Sequence, residues 1–272
     1  MNNRLLPIEG LSVDHIANGF SVYEIVRVED YIAIFLEDHL RRLYQSLELE
    51  KLRIKENEQE IKQQVRKLTV NNPVSSGKIK IVVQFYSYRP SPEYSLWLYF
   101  NYYDPPTKQL YRTGVATILC YAERHDPNAK LLHTEARIKA DNKIREASVY
   151  EAMLVDGNGY VTEGSRSNVF FISGDLLVTP PDEAVLPGIV RSKIMEICHE
   201  HHLNLQRRKI HKDELPDFDS AFLSGTTPKI LPVRSIDDIT FSVNNSLMAF
   251  LMQTYDNKIE HYIQEHKSYK IQ

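Results

Sequence analysis

The spacing of apolar positions along the 272-residue chain changes period repeatedly. Residues 23–28 and 31–35 are short β-branched and aromatic runs around "EDY", which predicts a two-stranded hairpin. In "LEDHLRRLYQSLELEKL" the period becomes helical, with Leu40, Leu43, Leu47 and Leu49 near one face. A second helix is predicted over 56–68, ahead of the turn "NNPVSSG". Three β-rich runs follow, 78–87, 94–103 and 113–122, and then the polar segment "ERHDPNAK" interrupts the pattern. Beyond it the spacing predicts a helix over 135–148, strands near 151–155, 168–172 and 176–178, and a helix after "LPG". A strand over 220–223 and a long closing helix over 246–264 complete the series. Without repeats or a regular βαβ alternation, this is an α+β chain with mixed sheets. The expected organisation is a smaller N-terminal α+β domain over 1–122, a linker over 123–130, and a C-terminal domain over 131–272.

Composition narrows the function classes. A 42% hydrophobic chain of this length can build two modest cores. A net charge of -3, with acids and bases interleaved, leaves no electrostatic footprint for nucleic acid or anionic lipid. No stretch approaches the roughly 18 uninterrupted apolar residues of a membrane span, and "MNNRLLPIEG" lacks the apolar centre of a secretory signal. The expectation is a cytoplasmic protein with a small-molecule partner. Cys120 and Cys198 lie in apolar contexts and are read as buried free thiols. His199, His201 and His202 fall near a helix end, where imidazolium suits the dipole, and no metal site is expected. The chain contains no GxSxG elbow, HExxH pair or P-loop.

Four stretches offer chemistry. In "VLPGIVRSKIMEI", Pro and Gly precede a helix and leave the amides of Ile189 and Val190 at its positive end, an anion site or an ordinary helix start. "FLSGTTPKILPV" ends a strand in Gly225, Thr226 and Thr227, a second phosphate cup or a plain turn. Arg42 in "HLRRLY" has the planar donor fork that suits phosphate, although helix arginines are commonly solvated or paired. "VTEGSRSNVFFI" places one acid, Glu163, at the rim of a small-residue turn before an apolar strand.

In order and spacing, "SVYEIVRV", "HLRRLY", "YEAMLVDGNGYVTEGSRSNVFFI", "VLPGIVR" and "FLSGTTPKILPV" resemble the fold-type IV, pyridoxal-phosphate-dependent enzymes, the class IV aminotransferases. That family includes branched-chain and D-amino-acid aminotransferases and 4-amino-4-deoxychorismate lyases. The resemblance implies a two-domain homodimer using pyridoxal 5'-phosphate. It places the lysine of the internal aldimine at Lys130, 20 residues before Tyr150 and 33 before Glu163, with Lys139 and Lys143 as competitors. It assigns Glu163 to the pyridine nitrogen, and Arg42, Ile189, Val190 and Thr226 to the phosphate, with Val190 where a threonine is common. Tyr23, Thr227 and Arg89 are implied to meet the substrate. "FYSYRPSPEY" supplies Arg89 without the histidine of a D-amino-acid carboxylate trap, and Glu135 stands where branched-chain enzymes carry tyrosine. The expected reaction is transfer of an amino group from an amino acid, including branched-chain ones, to a 2-oxo acid. The alternatives are aminodeoxychorismate lyase activity and a catalytically silent cofactor-binding protein.

Overall fold

In β1 (Phe20–Glu29), Val22, Val26 and Val28 alternate onto one buried face, and the acid Glu24 shares it. This strand pairs antiparallel with β2 (Ile32–Ala33) and β3 (Ser76–Phe85), and β3 pairs with β4 (Tyr94–Asn101), giving the order β2-β1-β3-β4. The apolar face packs against α1 (Leu36–Leu49), whose Leu36, Leu40, Leu43 and Leu47 recur at helical spacing. Helix α2 (Glu58–Val70) adds Ile61 and Val65 to the same core. It starts in a capping box, where the Asn57 side chain accepts from the Glu60 amide and the Glu60 side chain accepts from the Asn57 amide.

The computed structural model describes residues 20–86, 93–101, 103–132 and 134–267. The chain divides into two compact units, cut after residues 103, 128, 132 and 258, with 129–132 and the end of the chain belonging to the first.

The second unit is built on a ten-stranded mixed sheet. Its strands are β5 (Val115–Tyr121), β6 (Glu151–Val155), β7 (Tyr160–Gly164), β8 (Asn168–Ser173), β9 (Leu176–Thr179), β10 (Asn204–Arg207), β11 (Ile210–His211), β12 (Ser220–Gly225), β13 (Lys229–Ile236) and β14 (Ile239–Thr240). They run β10-β9-β8-β12-β13-β5-β6-β7-β11, with β14 on β13. Helices α3 (Lys108–Thr113), α4 (Glu135–Ala147), α5 (Ile189–Glu200) and α6 (Ser246–His266) accompany it, the last turns of α6 grouping with the first unit. "NVFFIS" in β8 and "SAFLSG" in β12 pair directly, and Phe170 stacks on Phe222 at 5.0 Å between ring centres. Among the described residues no helix is long and apolar enough to cross a membrane. Cys120 and Cys198 are buried free thiols.

The observed division differs from an expected boundary at 122. β5 lies between β13 and β6, parallel to both, so residues 104–122 group with the second unit. Its apolar run reads equally well as the last strand of the first sheet, because period alone carries no information about pairing partners. Helix α3, capped by Thr107 and ended by Gly114 at φ 67°, was also outside the predicted series.

Replacing Phe170 by Ala removes a fully buried ring and its stacking contact with Phe222, and should cost about 3–5 kcal/mol in chemical denaturation. Val70→Ala, at a side chain 75% exposed, should change stability by less than about 0.5 kcal/mol in the same measurement.

Candidate active site

Glu24 interrupts the valine face of β1, and two residues one helical turn apart on α1 answer it. Arg42 Nε and Nη2 donate to the two Glu24 carboxylate oxygens at 2.8 and 2.7 Å, and His39 Nδ1 lies 2.8 Å from Oε2. All three are buried. Burial by itself would raise the Glu24 carboxyl, but the Arg42 charge and hydrogen bonds, with His39 assisting, hold it down at about 2. Burial lowers His39 from its usual range against the pull of Glu24, so the imidazole is neutral at pH 7 and its Nδ1–H donates to the carboxylate.

The same unit fixes Lys130. The Tyr23 amide donates to the Lys130 carbonyl at 3.1 Å, the Leu132 amide to the Ser21 carbonyl at 3.0 Å, and the Lys130 amide to Ser46 Oγ at 3.1 Å. Residues 130–132 thus run along β1 as a short antiparallel edge, bridged at Val22 and Leu131. Lys130 Nζ stands 4.8 Å from the centre of the Tyr23 ring, and its charge helps to depress His39. Three predicted residues, Tyr23, Arg42 and Lys130, are therefore gathered in one neighbourhood. Arg89 lies outside the described residues.

The second unit gathers another set. Glu163 is the penultimate residue of β7 rather than part of a turn, and is 3% exposed. Its Oε1 accepts from Arg124 Nη1 at 2.8 Å, and its Oε2 accepts from the Leu186 amide at 3.1 Å and Asn168 Nδ2 at 3.3 Å. Asn168 Nδ2 also donates to the Leu186 carbonyl at 3.0 Å, tying the carboxylate to the segment that enters α5. A Cβ on Gly188 would collide with Asn168 Oδ1, so only glycine allows this approach. Gly188 is the N-cap of α5 and offers no side-chain acceptor, which leaves the amides of Ile189 and Val190 at the positive end of a twelve-residue helix. Arg191 anchors that first turn to the Pro180 carbonyl and Asp182. Thr226 and Thr227 occupy the turn between β12 and β13, which Tyr111 Oη holds by donating to the Pro228 carbonyl at 2.8 Å.

Lys139 Nζ donates to the Tyr121 carbonyl and Lys143 Nζ to the Leu119 carbonyl, each at 2.7 Å, so both competing lysines bind the end of β5. Among the described residues no group of three His, Cys, Asp or Glu is arranged to hold a metal ion.

Residues 21–236 match the family described as amino-transferase class IV. The chain belongs to that family. It is 30% identical over 253 residues to a D-alanine aminotransferase of Bacillus licheniformis, covering 88% of each chain. It is 29% identical over 238 residues to a branched-chain-amino-acid aminotransferase of Pseudomonas aeruginosa, covering 80% of this chain and 76% of that one. Two solved structures share the fold. The putative 4-amino-4-deoxychorismate lyase of Legionella pneumophila superposes with a TM-score of 0.83 at 21% identity, over 94% of this chain and 97% of that one. The branched-chain aminotransferase of the archaeon Thermoproteus uzoniensis, solved with norvaline, gives 0.82 at 24% identity, over 96% and 95%.

Class IV aminotransferases use pyridoxal phosphate, and the residues around Glu163 fit that group. A carboxylate has about four lone-pair positions. Glu163 accepts three donors in the second unit and has capacity for one more, as a protonated pyridine nitrogen requires. The uncapped start of α5 suits a phosphate.

Sequence reading had not singled out Glu24, His39, Arg124 or Asn168. Glu24 left a signal, an acid on the apolar face of an alternating strand. Arg124, inside a polar segment, left none.

The Glu24 cluster gives the first unit a defined acid response. The folded carboxyl titrates near 2 and the unfolded one near 4.5, so its contribution is full above pH 4.5 and is lost as pH falls towards 2. At 1.36 kcal/mol per unit this amounts to about 3 kcal/mol. His39 acts in the same sense, because below about 6.5 the unfolded chain takes up a proton that the buried imidazole refuses. Urea unfolding from pH 7 to 3 should show Glu24→Gln less stable at pH 7 and losing less between pH 5 and 3 than the wild type. Parallel curves would contradict the assignment.

Proposed function

We propose that the protein is a pyridoxal-phosphate-dependent aminotransferase that moves an amino group from an amino acid to a 2-oxo acid. The observation that carries this reading is the acceptor set of Glu163, three donors with room for a fourth, on an element tied to an uncapped helix start. Similarity at 30% and 29% to aminotransferases named for D-alanine and for branched-chain amino acids supports amino-group transfer and leaves both substrate classes in play.

Pyridoxal phosphate, when bound, supplies an aldehyde carbon and a ring that withdraws electrons from the substrate Cα. Lys130 Nζ is the primary amine that would hold the cofactor through its aldehyde, and as a neutral amine it would take the proton from the substrate Cα and return it. Its backbone, hydrogen-bonded along β1, fixes the origin of that reach. Glu163 would accept the ring N–H and keep that proton in place, with Arg124 and Asn168 keeping the carboxylate oriented. The amides of Ile189 and Val190 and the Thr226 hydroxyl would hold the phosphate, and family resemblance assigns Arg42 to the same group. Val190 contributes its amide alone, having no hydroxyl. Arg42 is already paired with Glu24, which shares its charge and sets its position. Tyr23 and Thr227 line the substrate position, and Arg89 is assigned to the substrate carboxylate. A cytoplasmic homodimer is the form in which we expect the enzyme to act.

Adding pyridoxal phosphate to the purified chain should produce a visible absorbance band. Borohydride reduction and peptide mapping should then place the label on Lys130, and Lys130→Ala should abolish both band and turnover. Label on Lys139 or Lys143 would overturn the assignment, and no band at all would leave a catalytically silent chain. A panel of L- and D-amino acids with a 2-oxo acid should show amino transfer. Release of pyruvate and 4-aminobenzoate from aminodeoxychorismate, without transfer, would reassign the chain to the lyases.

A further inference from the structure

Glu151, the first residue of β6, is an acid that the proposed chemistry does not use. It is 2% exposed, and burial raises its carboxyl from the ordinary range against the Arg166 amide, the Ser167 hydroxyl and the charges of Arg166 and Arg137. Its Oε1 accepts from the Arg166 amide at 2.6 Å and from Ser167 Oγ at 3.0 Å. Both donors belong to the turn between β7 and β8, and that turn is wrapped closely around the carboxylate. A Cβ on Gly164 would fall 2.5 Å from both Glu151 Oε1 and Ser167 Oγ, so the wrap leaves no room for a side chain.

The turn joins Glu163 to Asn168, and these two residues hydrogen-bond to each other. Their mutual placement depends on the four residues between them. Ser165 donates its amide to the Ala152 carbonyl at 2.8 Å, and Arg137 Nη1 donates to the Ser165 carbonyl at 3.2 Å. Neither contact fixes the second half of the turn, where Arg166 and Ser167 lead into Asn168. Glu151 accepts from both of those residues, at the amide of one and the hydroxyl of the other. The Ser167 Cβ also lies 3.5 Å from where a Cβ on Gly225 would stand, so the same turn supports the start of the Thr226 loop.

We propose that Glu151 is a positioning residue: by holding the Gly164–Ser167 turn it sets Glu163 and Asn168 at the geometry in which Glu163 presents its remaining acceptor position. This rests on the reading that Glu163 faces the cofactor ring. It assigns the buried acid of "YEA" a function in tuning the neighbouring acid of "TEG" rather than in touching substrate or cofactor.

Full-length wild type, Glu151→Ala, Glu151→Gln and Met153→Ala are compared in two ways. Met153, fully buried two residues along the same strand, provides a variant that weakens packing without touching the turn's acceptor. Without cofactor, trypsin cleavage after Arg166 reports whether the turn is held. With pyridoxal phosphate, the pH midpoint of the visible band and the dissociation constant report whether Glu163 is placed, using Glu163→Gln as the reference displacement. Glu151→Ala should speed cleavage after Arg166 and weaken cofactor binding, each about tenfold, for loss of the two hydrogen bonds that hold the turn. It should also move the band's midpoint in the direction that Glu163→Gln does. Glu151→Gln, which keeps one carbonyl oxygen for the two donors, should recover most of each effect. A wild-type midpoint in Glu151→Ala, or an equal displacement in Met153→Ala, would overturn the proposal. A wild type with no visible band would instead overturn the cofactor reading and with it the catalytic meaning of the turn. The proteolysis comparison would still decide whether Glu151 holds it.

Discussion

A carboxylate taken out of water must recover from the protein most of the hydrogen bonds it gives up. Glu163, 3% exposed at the end of β7, recovers three of them, and each draws a different part of the second unit into place. The Leu186 amide brings the segment entering α5 against the acid. Asn168 brings the start of β8, and its contact with Gly188 removes any side chain from the helix start. Arg124 supplies the one charge. The helix amides, the acid and the turn are thus mutually dependent, and loss of one donor would leave a buried acceptor unmatched at a cost of about 1–3 kcal/mol.

The first unit solves the related problem with a full countercharge. Glu24 lies on an otherwise apolar strand face, where the cost of burial is met by a two-bond Arg42 fork and a neutral His39. A buried pair of this kind adds little net stability over a packed apolar core, and its removal on one side is expensive. Its retention here is consistent with fixing where Arg42 points. Glu24 is nearly always ionised, whereas Glu151 is pushed upward by burial and relies on one amide and one hydroxyl. Three buried acids in one chain therefore meet three different electrostatic environments, set by which donors the fold brings to each.

Much of this was legible in the amino-acid sequence. The leucine spacing of α1, the apolar strands β8 and β12, and the Pro-Gly entry to α5 all follow from local period and turn chemistry, which depend on neighbours in sequence. The sheet to which β5 belongs was not legible, because strand pairing is a long-range choice among runs of similar composition. Arg124 and Asn168 were hidden for the same reason. Each acquires meaning only through a partner on another element, 39 and 5 residues away respectively. Glu163 looked like the rim of a turn because Gly164, Ser165 and Ser167 follow it, yet β7 continues to Gly164 by pairing with Met153 of β6.

Lys130 shows how composition and constraint can point in opposite directions. Its segment is polar and reads as surface linker, and a lysine there would ordinarily be solvated. Its carbonyl and the backbone that follows are nevertheless hydrogen-bonded to β1, and its own amide is held by the buried Ser46. A fixed Cα with a long side chain would serve the proton transfer proposed for Lys130, since the origin of its reach is constant. Lys139 and Lys143 have the reverse arrangement. Their backbones lie in an ordinary helix, and their ammonium groups already satisfy the carbonyls of Tyr121 and Leu119. Using either for chemistry would strip an acceptor at the end of β5 of its donor.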